Sequence, residues 1–260
     1  MIEVRLIEVN QESRVRTITL NRPERRNALN LNLCRELTEA FDNADSDRSV
    51  GAIVLNANGP VFCGGMDLKE VLEINENRLA AIHERLFTTI QRVRTPIIAA
   101  VHGSALAGGT GLVANAHIVV ANPDTVFGLT EIRVGLWPVL IFRSVAHAMG
   151  ERRTVELALT GRDFTAIEAL DYGLVTELAN DPLRRATELA VVLAGFSPIA
   201  LKAGLEYVHQ IRGLDWETAG RVGRLTRDQL LSSADFKEGS RAFLEKRQPS
   251  WPSLEGKVAK

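Results

Sequence analysis

The sequence predicts an α/β protein in which a parallel-sheet domain is followed by a purely helical tail. Three observations lead there. Short unbroken apolar runs at 52–55, Ile97–Val101 and Ile118–Ala121 are bounded by turn residues and read as buried strands. Between them lie segments whose apolar residues recur at helical spacing. From about Pro182 onward only helical signal remains, broken at Ser197-Pro198, Gly213 and Ser232-Ser233.

Taken in order, residues 2–9 and 14–20 alternate in polarity and 11–13 supplies a turn, which predicts a hairpin. Asn21-Arg22-Pro23 stops its second strand, and a charged loop follows to Asn27. From Asn30 the spacing of Leu33, Leu37, Ala40, Phe41 and Ala44 predicts a helix ended by Asp45-Ser46-Asp47. A strand at 52–55 runs into the turn Asn58-Gly59-Pro60, and residues 78–93 carry Leu79, Ile82, Leu86, Ile90 and Val93 on one helical stripe. Pro96 opens the strand Ile97–Val101, small residues fill 103–111, and Leu112, Val113, Ala114 and Ala116 read as helix. A strand that feeds a helix through such residues bares backbone N–H groups at the helix N-terminus, where the dipole suits a negative oxygen. Further strands are expected at Ile118–Ala121 and Val126–Gly128, and a helix from the Trp137-Pro138 break to Met149. Helices at 153–159 and 165–172 and a short strand at Leu174-Val175 complete the body.

The 260 residues suffice for one full core, and 45% apolar with 24% charged residues is ordinary for a globular protein. With 31 basic against 32 acidic residues the net charge is −1, which supplies no basic surface for nucleic acid or membrane. Cys34 and Cys63 show neither metal-ligand nor disulfide spacing, as expected in a reducing cytoplasm. The opening M-I-E-V-R-L-I-E-V has no long apolar core, so no signal peptide is expected, and no apolar run is long enough to span a bilayer.

Three groups of residues bear on chemistry. Cys63-Gly64-Gly65 and Ala107-Gly108-Gly109 are small-residue turns, each after a strand; either alone is explained as an ordinary turn, but together they can aim two amides into one cleft. Gly109-Thr110-Gly111-Leu112-Val113-Ala114 formally matches a dinucleotide fingerprint, yet it lies too far from the strand end at Val101 and no acidic strand end follows. Glu131 sits among Phe127, Leu129, Ile132, Leu136 and Trp137, where desolvation would raise its pKa and suit proton transfer. The alternative, favoured on local sequence alone, is a surface carboxylate paired with Arg133 or Arg143. The five histidines, His83, His102, His117, His147 and His209, show no metal spacing and read as structural, and there is no nucleophile elbow or Walker-type lysine. Backbone amides with one carboxylate fit enolate chemistry beside a thioester or similar carbonyl, without metal or cofactor.

These residues resemble the crotonase (enoyl-CoA hydratase/isomerase) family almost end to end. Asn21-Arg22-Pro23 with Asn27-Ala28-Leu29 is similar to the family's N-R-P-x-x-x-N-A-L, and Phe62 to Glu70 to its F-x-A-G-x-D-L-x-E. The stretch 95–111 resembles P-x-I-A-A-V-x-G-x-A-x-G-G-G, and Ala242 to Arg247 the closing A-F-x-E-K-R. The resemblance implies a crotonase-like ββα spiral over 1–195 and a C-terminal helical trimerisation region over 196–260, assembled as a homotrimer or dimer of trimers. It implies an acyl-CoA substrate, coenzyme A being part of the substrate and no further cofactor or metal, whose thioester oxygen is held by the amides of Gly64 and Gly108. Losing one such donor costs about 3 kcal/mol of transition-state stabilisation. Arg26, Ala28, Gly65, Met66, Asp67 and Leu68 are expected at the CoA part, with Phe243 and Lys246 arriving from the tail, often that of a neighbouring copy.

The chain departs from the hydratase pattern of two glutamates: Gly111 stands at the first position and Glu131 at the second, and the P-G-A-G-G-T segment is replaced by 137–142. A lone carboxylate can still move a proton between two carbons of one substrate. The expected activity is therefore enoyl-CoA double-bond isomerisation with Glu131 as acid/base. The alternatives are hydration of a 2-enoyl-CoA without the first glutamate, and an acyl-CoA-binding paralogue of weak activity. No aspartate stands at Val139, which argues against dienoyl isomerase and dehalogenase branches, and Trp137, Leu140, Ile141 and Phe142 form either an apolar acyl end or ordinary helix packing.

Overall fold

Strands without polar residues cannot sit at a sheet edge facing water, so the apolar runs predict the middle of a parallel sheet covered on both faces. The computed structural model, which describes residues 5–73 and 76–255, has that arrangement. The elements run β1 (Ile7–Glu12), β2 (Val15–Leu20), α1 (Leu31–Ser46), β3 (Ala52–Ala57), α2 (Leu68–Glu73), α3 (Glu76–Arg92), β4 (Ile97–Val101), β5 (Ser104–Leu106) and α4 (Gly108–Ala114). They continue with β6 (Ile118–Ala121), β7 (Val126–Gly128), α5 (Phe142–Met149), α6 (Glu151–Thr160), β8 (Asp163–Thr165), α7 (Ala166–Asp171) and β9 (Glu177–Leu178). The closing helices are α8 (Pro182–Ala194), α9 (Pro198–Gln210), α10 (Trp216–Ser232), α11 (Ala234–Leu244) and α12 (Pro252–Glu255).

A six-stranded sheet has the order β1-β2-β3-β4-β6-β9, parallel throughout except for the β1–β2 hairpin. A smaller sheet joins β5 in parallel to β7 and β7 antiparallel to β8. Single bridges, Cys63 to Ala105 and Leu29 to Met66, extend that small sheet to earlier turns of the chain. Each turn thus lays one strand in the large sheet, one short segment in the small sheet, and then helix: β4, β5, α4 is the cleanest case. This is the ββα spiral.

Alternation along the strands places two cores. Ile53, Leu55, Ile97, Ala99, Val101 and Val119 face the main core with α1 and α3, while Ala52, Val54, Ile98, Ala100 and Val120 face the other side. That second face is covered by Ala186, Ala190 and Ala194 of α8, one small-residue stripe at helical spacing. Although α8 opens the all-helical part of the chain, it therefore packs with the sheet. The remaining helices pack on one another, α9 with α10 and α12, and α11 with α10 and α12.

Local signals start most helices where expected. Asn30 accepts the Leu33 N–H at 2.9 Å to cap α1, Asp181 caps α8 ahead of Pro182, and Thr165 with Glu168 forms a capping box on α7. Two expectations are corrected and one strand is added. The strand expected at Leu174-Val175 is β9, three residues on, because the N–H groups of both Leu174 and Val175 bond Ala169 O and close the end of α7. β8 was not anticipated, since only Phe164 of its three residues is apolar. α4 begins at Gly108 rather than near Leu112: a Cβ on Gly109 would lie 2.3 Å from Cys63 O, so close packing against that turn overrides glycine's poor helix propensity. Residues 2–4 of the expected hairpin lie outside the described residues.

The tail is tied down by Asp235, 2% exposed, whose carboxylate accepts from Ser197 Oγ at 2.5 Å, Ser253 Oγ at 2.7 Å and Ser253 N at 3.0 Å. It joins α11 to the starts of α9 and α12. Asp235→Ala strands these donors and is expected to lower stability by about 2 kcal/mol, read as a lower denaturant midpoint, with Asp235→Asn less harmful.

Candidate active site

Two turns and one helical turn converge on a single cavity of about 470 Å³. Its floor is backbone and small side chains, Gly64, Met66, Ala107 and Gly108, with Leu29 and Phe87 beside them. Glu131, Val134, Leu136, Trp137, Val139, Leu140 and Ile141 supply a mostly apolar part of the lining, and Leu68 and His83 also face the cavity. Trp137 stacks on Phe142, ring centroids 6.2 Å apart, so Phe142 supports the wall without lining the cavity.

The first turn follows β3. Cys63 is fastened to β5 by Cys63 N–H on Ser104 O and Leu106 N–H on Cys63 O. Its thiol, buried and pushed up to about 12 by that burial, donates to Asn27 O at 3.2 Å and is no nucleophile at neutral pH. The Gly64 N–H donates to Arg26 O at 2.9 Å. Leu29 then takes the next segment as a parallel partner, its N–H on Gly65 O at 2.7 Å and its carbonyl receiving the Asp67 N–H at 3.2 Å. In a parallel ladder the residue between two such bonded neighbours turns its own N–H to the other side. That residue is Met66, whose N–H has no acceptor among the described residues.

The second turn ends β5 and starts α4. Ala107 holds φ 49°, ψ −119°, a strained conformation for a residue with a Cβ, and is braced by its N–H on Gly128 O at 2.8 Å. Thr110, fully buried, donates its hydroxyl to Ala105 O and stands 3.0 Å from Gly128 O, locking the same corner. Gly108 is the first helical residue, so its N–H has no partner in the helix. The turns touch at Gly65, φ 91°: a Cβ there would meet the Ala107 Cβ at 2.8 Å and lie 3.5 Å from the Gly108 nitrogen. The free amides of Met66 and Gly108 are thereby neighbours. The expectation that Gly64 donates is corrected accordingly, because Arg26 O already holds its hydrogen.

Glu131 opens a 3-10 turn, Glu131–Val134, that leaves β7 and ends at Gly135, φ 77°. It forms no ion pair among the described residues; Arg133 pairs with Asp163 at 2.8 Å instead. One carboxyl oxygen, Oε2, is buried without a hydrogen-bond partner, and burial pushes the group above the ordinary carboxylate range. The surface ion pair that local sequence favoured is thus absent.

The other expected positions divide. Leu68 and Trp137 line the cavity; Arg26 is exposed beside Gly64, and Ala28 contributes its carbonyl to Arg22 Nη1 at 3.1 Å. Asp67 is a brace: burial opposes its charge, but Arg22 at 2.6 Å and the N–H groups of Glu70 and Lys69 outweigh that and hold its pKa down. Phe243, 83% exposed, and Lys246 lie outside the cavity of this chain. Sequence reading missed the Met66 amide as a donor and His83 as a cavity residue. Only the four-residue spacing of His83 and Phe87 on α3 hinted that both face one way.

Comparison with known proteins agrees with this architecture. Residues 10–254 match the family model described as enoyl-CoA hydratase/isomerase. The chain is 34% identical over 250 residues to the protein named probable enoyl-CoA hydratase, mitochondrial, of Dictyostelium discoideum, covering 93% of this chain and 88% of that one. It is 32% identical over 252 residues to enoyl-CoA hydratase EchA19 of Mycobacterium tuberculosis, covering 90% and 91%. The crystal structure of an enoyl-CoA hydratase from Mycobacterium smegmatis superposes with a TM-score of 0.91 at 33% identity, over 95% of this chain and 99% of that one. With a ββα spiral, two converging strand-end turns and a match along nearly the whole chain, this protein belongs to the crotonase, or enoyl-CoA hydratase/isomerase, family of enzymes.

Proposed function

We propose that the chain isomerises an enoyl-CoA, moving a β,γ double bond into conjugation with the thioester, with Glu131 as the single carboxylate acid/base. One observation carries this reading. A Cβ on Gly111 would lie 2.2 Å from Ile141 Cγ2 and 3.2 Å from Phe87 Cε1, so the place matching the hydratases' first glutamate is filled by apolar side chains. Glu131 is the only carboxylate among the described residues that line the cavity.

The thioester oxygen would lie between the N–H groups of Met66 and Gly108, which bind it more strongly as charge develops. Glu131, ionised, takes a proton from Cα; the electron pair delocalises onto the oxygen as a dienolate, and the same carboxyl returns the proton to Cγ. Desolvation makes the carboxylate a stronger base. A proton shuttle of this kind uses no cofactor beyond the coenzyme A that the substrate carries. The apolar wall from Val134 to Ile141 suits a fatty or aromatic acyl group, and the cytoplasm is the proposed location. Hydration, the activity in the names of the relatives, is the second reading, favoured by the presence of His83 in the cavity.

The tail supports the assembly inferred from family resemblance. Trp216 is 96% and Phe243 83% exposed, and Leu225, Phe236 and Leu244 are exposed on the same helices. We propose that copies of the chain cover this surface as a homotrimer or dimer of trimers, which would bring Phe243 and Lys246 of one copy to the CoA end of another.

Glu131→Gln is expected to lower isomerase kcat by at least about a hundredfold while acyl-CoA affinity stays within a few-fold. The wild-type acid limb should lie above the ordinary carboxylate value of 4.5, with activity rising as the base ionises. Stability should move oppositely. A raised folded-state pKa contributes stability in full below the unfolded value and loses it as pH climbs through the raised value. Glu131→Gln, free of that loss, should unfold at higher temperature than wild type at pH 8. Gly111→Glu should destabilise by about 1–3 kcal/mol through overpacking against Ile141 and yield no faster hydration. Sedimentation should give three or six chain masses, and a monomer at micromolar concentration would refute the assembly.

A further inference from the structure

His83 lies on α3, 6% exposed, and lines the same cavity as Glu131 and the amides of Met66 and Gly108. Its Nε2 is 3.2 Å from Leu29 O, and since a carbonyl only accepts, Nε2 carries the hydrogen. That assigns the tautomer and leaves Nδ1 with a lone pair and no partner among the described residues. Leu29 O is itself fixed, because it also receives the Asp67 N–H. The imidazole is therefore a rigidly mounted base in a cavity whose acid/base chemistry otherwise rests on one carboxyl.

We propose that His83 is the water-activating residue of a second activity at this site, the hydration of 2-enoyl-CoA thioesters, in place of the carboxylate that the filled position at Gly111 excludes. The inference rests on the proposed enolate chemistry, sharing its amides and Glu131. A water hydrogen-bonded to Nδ1 gives up its proton to the imidazole as its oxygen bonds to Cβ. The double-bond electrons move to the thioester oxygen, forming an enolate between the Met66 and Gly108 amides. Glu131, entering protonated, delivers its proton to Cα. The imidazolium then returns a proton through water to the Glu131 carboxylate, so that the net change is addition of H and OH. Burial supports this pairing of roles: it pushes Glu131 up, towards an acid, and His83 down, towards a neutral base, the latter opposed only by nearby Glu70 and its bond to Leu29. Isomerisation starts from the ionised carboxyl and hydration from the protonated one, which makes the two activities alternatives of one pocket.

The test compares wild type, His83→Gln and His83→Phe on a 2-enoyl-CoA and a 3-enoyl-CoA. Gln keeps a donor for Leu29 O and an acceptor for water but cannot take a proton, so a folded protein is expected even where Phe disturbs packing. The ratio of hydration to isomerisation rates should fall on the order of a hundredfold in His83→Gln. An unchanged ratio, whether both rates fall together or neither does, would show that His83 only supports the fold. Wild type that isomerises but forms no 3-hydroxyacyl-CoA overturns the role of His83 and leaves the isomerase reading standing. Wild type that hydrates without isomerising sinks that reading, and the loss of hydration in His83→Gln then still decides the role of the imidazole.

Discussion

The packing of the turn at 64–66 against the start of α4 is the contact on which the cavity depends. Backbone amides serve as oxygen ligands only if the fold leaves their hydrogens unspent and brings them together. Leu29 achieves the first by pairing with Gly65 and Asp67, which turns Met66 outward. Gly65 achieves the second, because nothing larger than hydrogen fits against Ala107. The buried Thr110 hydroxyl and the Ala107 N–H then hold the strained corner from behind. In the proposed mechanism the donors need no reorganisation when charge develops, which is where such sites gain most of their rate.

Around those amides the fold leaves its ionisable groups short of protein partners. Glu131 has a buried oxygen with no hydrogen bond, and His83 has one ring nitrogen committed and one free. The Glu131 oxygen costs stability, as a polar group does when buried unsatisfied. The cost is offset elsewhere, by two cores packed on opposite faces of one sheet and by the Asp235 cluster that fastens the tail. Strain and desolvation sit at the cavity; regular packing sits away from it.

Much of the fold was legible in order along the chain. Helix starts were marked at Asn30, Thr165 and Pro182, and central strands by apolar runs that need cover on both faces. Failures came where tertiary contact outweighs local preference. Leu174 and Val175 look like a strand but close α7, and the glycines from 108 read as loop but form the first turn of α4. At the site, motif spacing located the two turns and the carboxylate. It did not say which amide of the first turn is free, since that depends on a carbonyl at Arg26 nearly forty residues earlier in the chain.

By itself, then, the sequence determined the alternation of strands and helices, the helical tail and the two small-residue turns, because these follow from period, capping and residue size within short windows; the ββα spiral and the role of Glu131 were implied by family resemblance. Only the tertiary structure decided that Gly64 is spent and Met66 free, that Ile141 occupies the space beside Gly111, and that a histidine read as structural shares the cavity. Each of those outcomes depends on the distance between segments remote in sequence. Local patterns carry no record of such distances until the chain has folded.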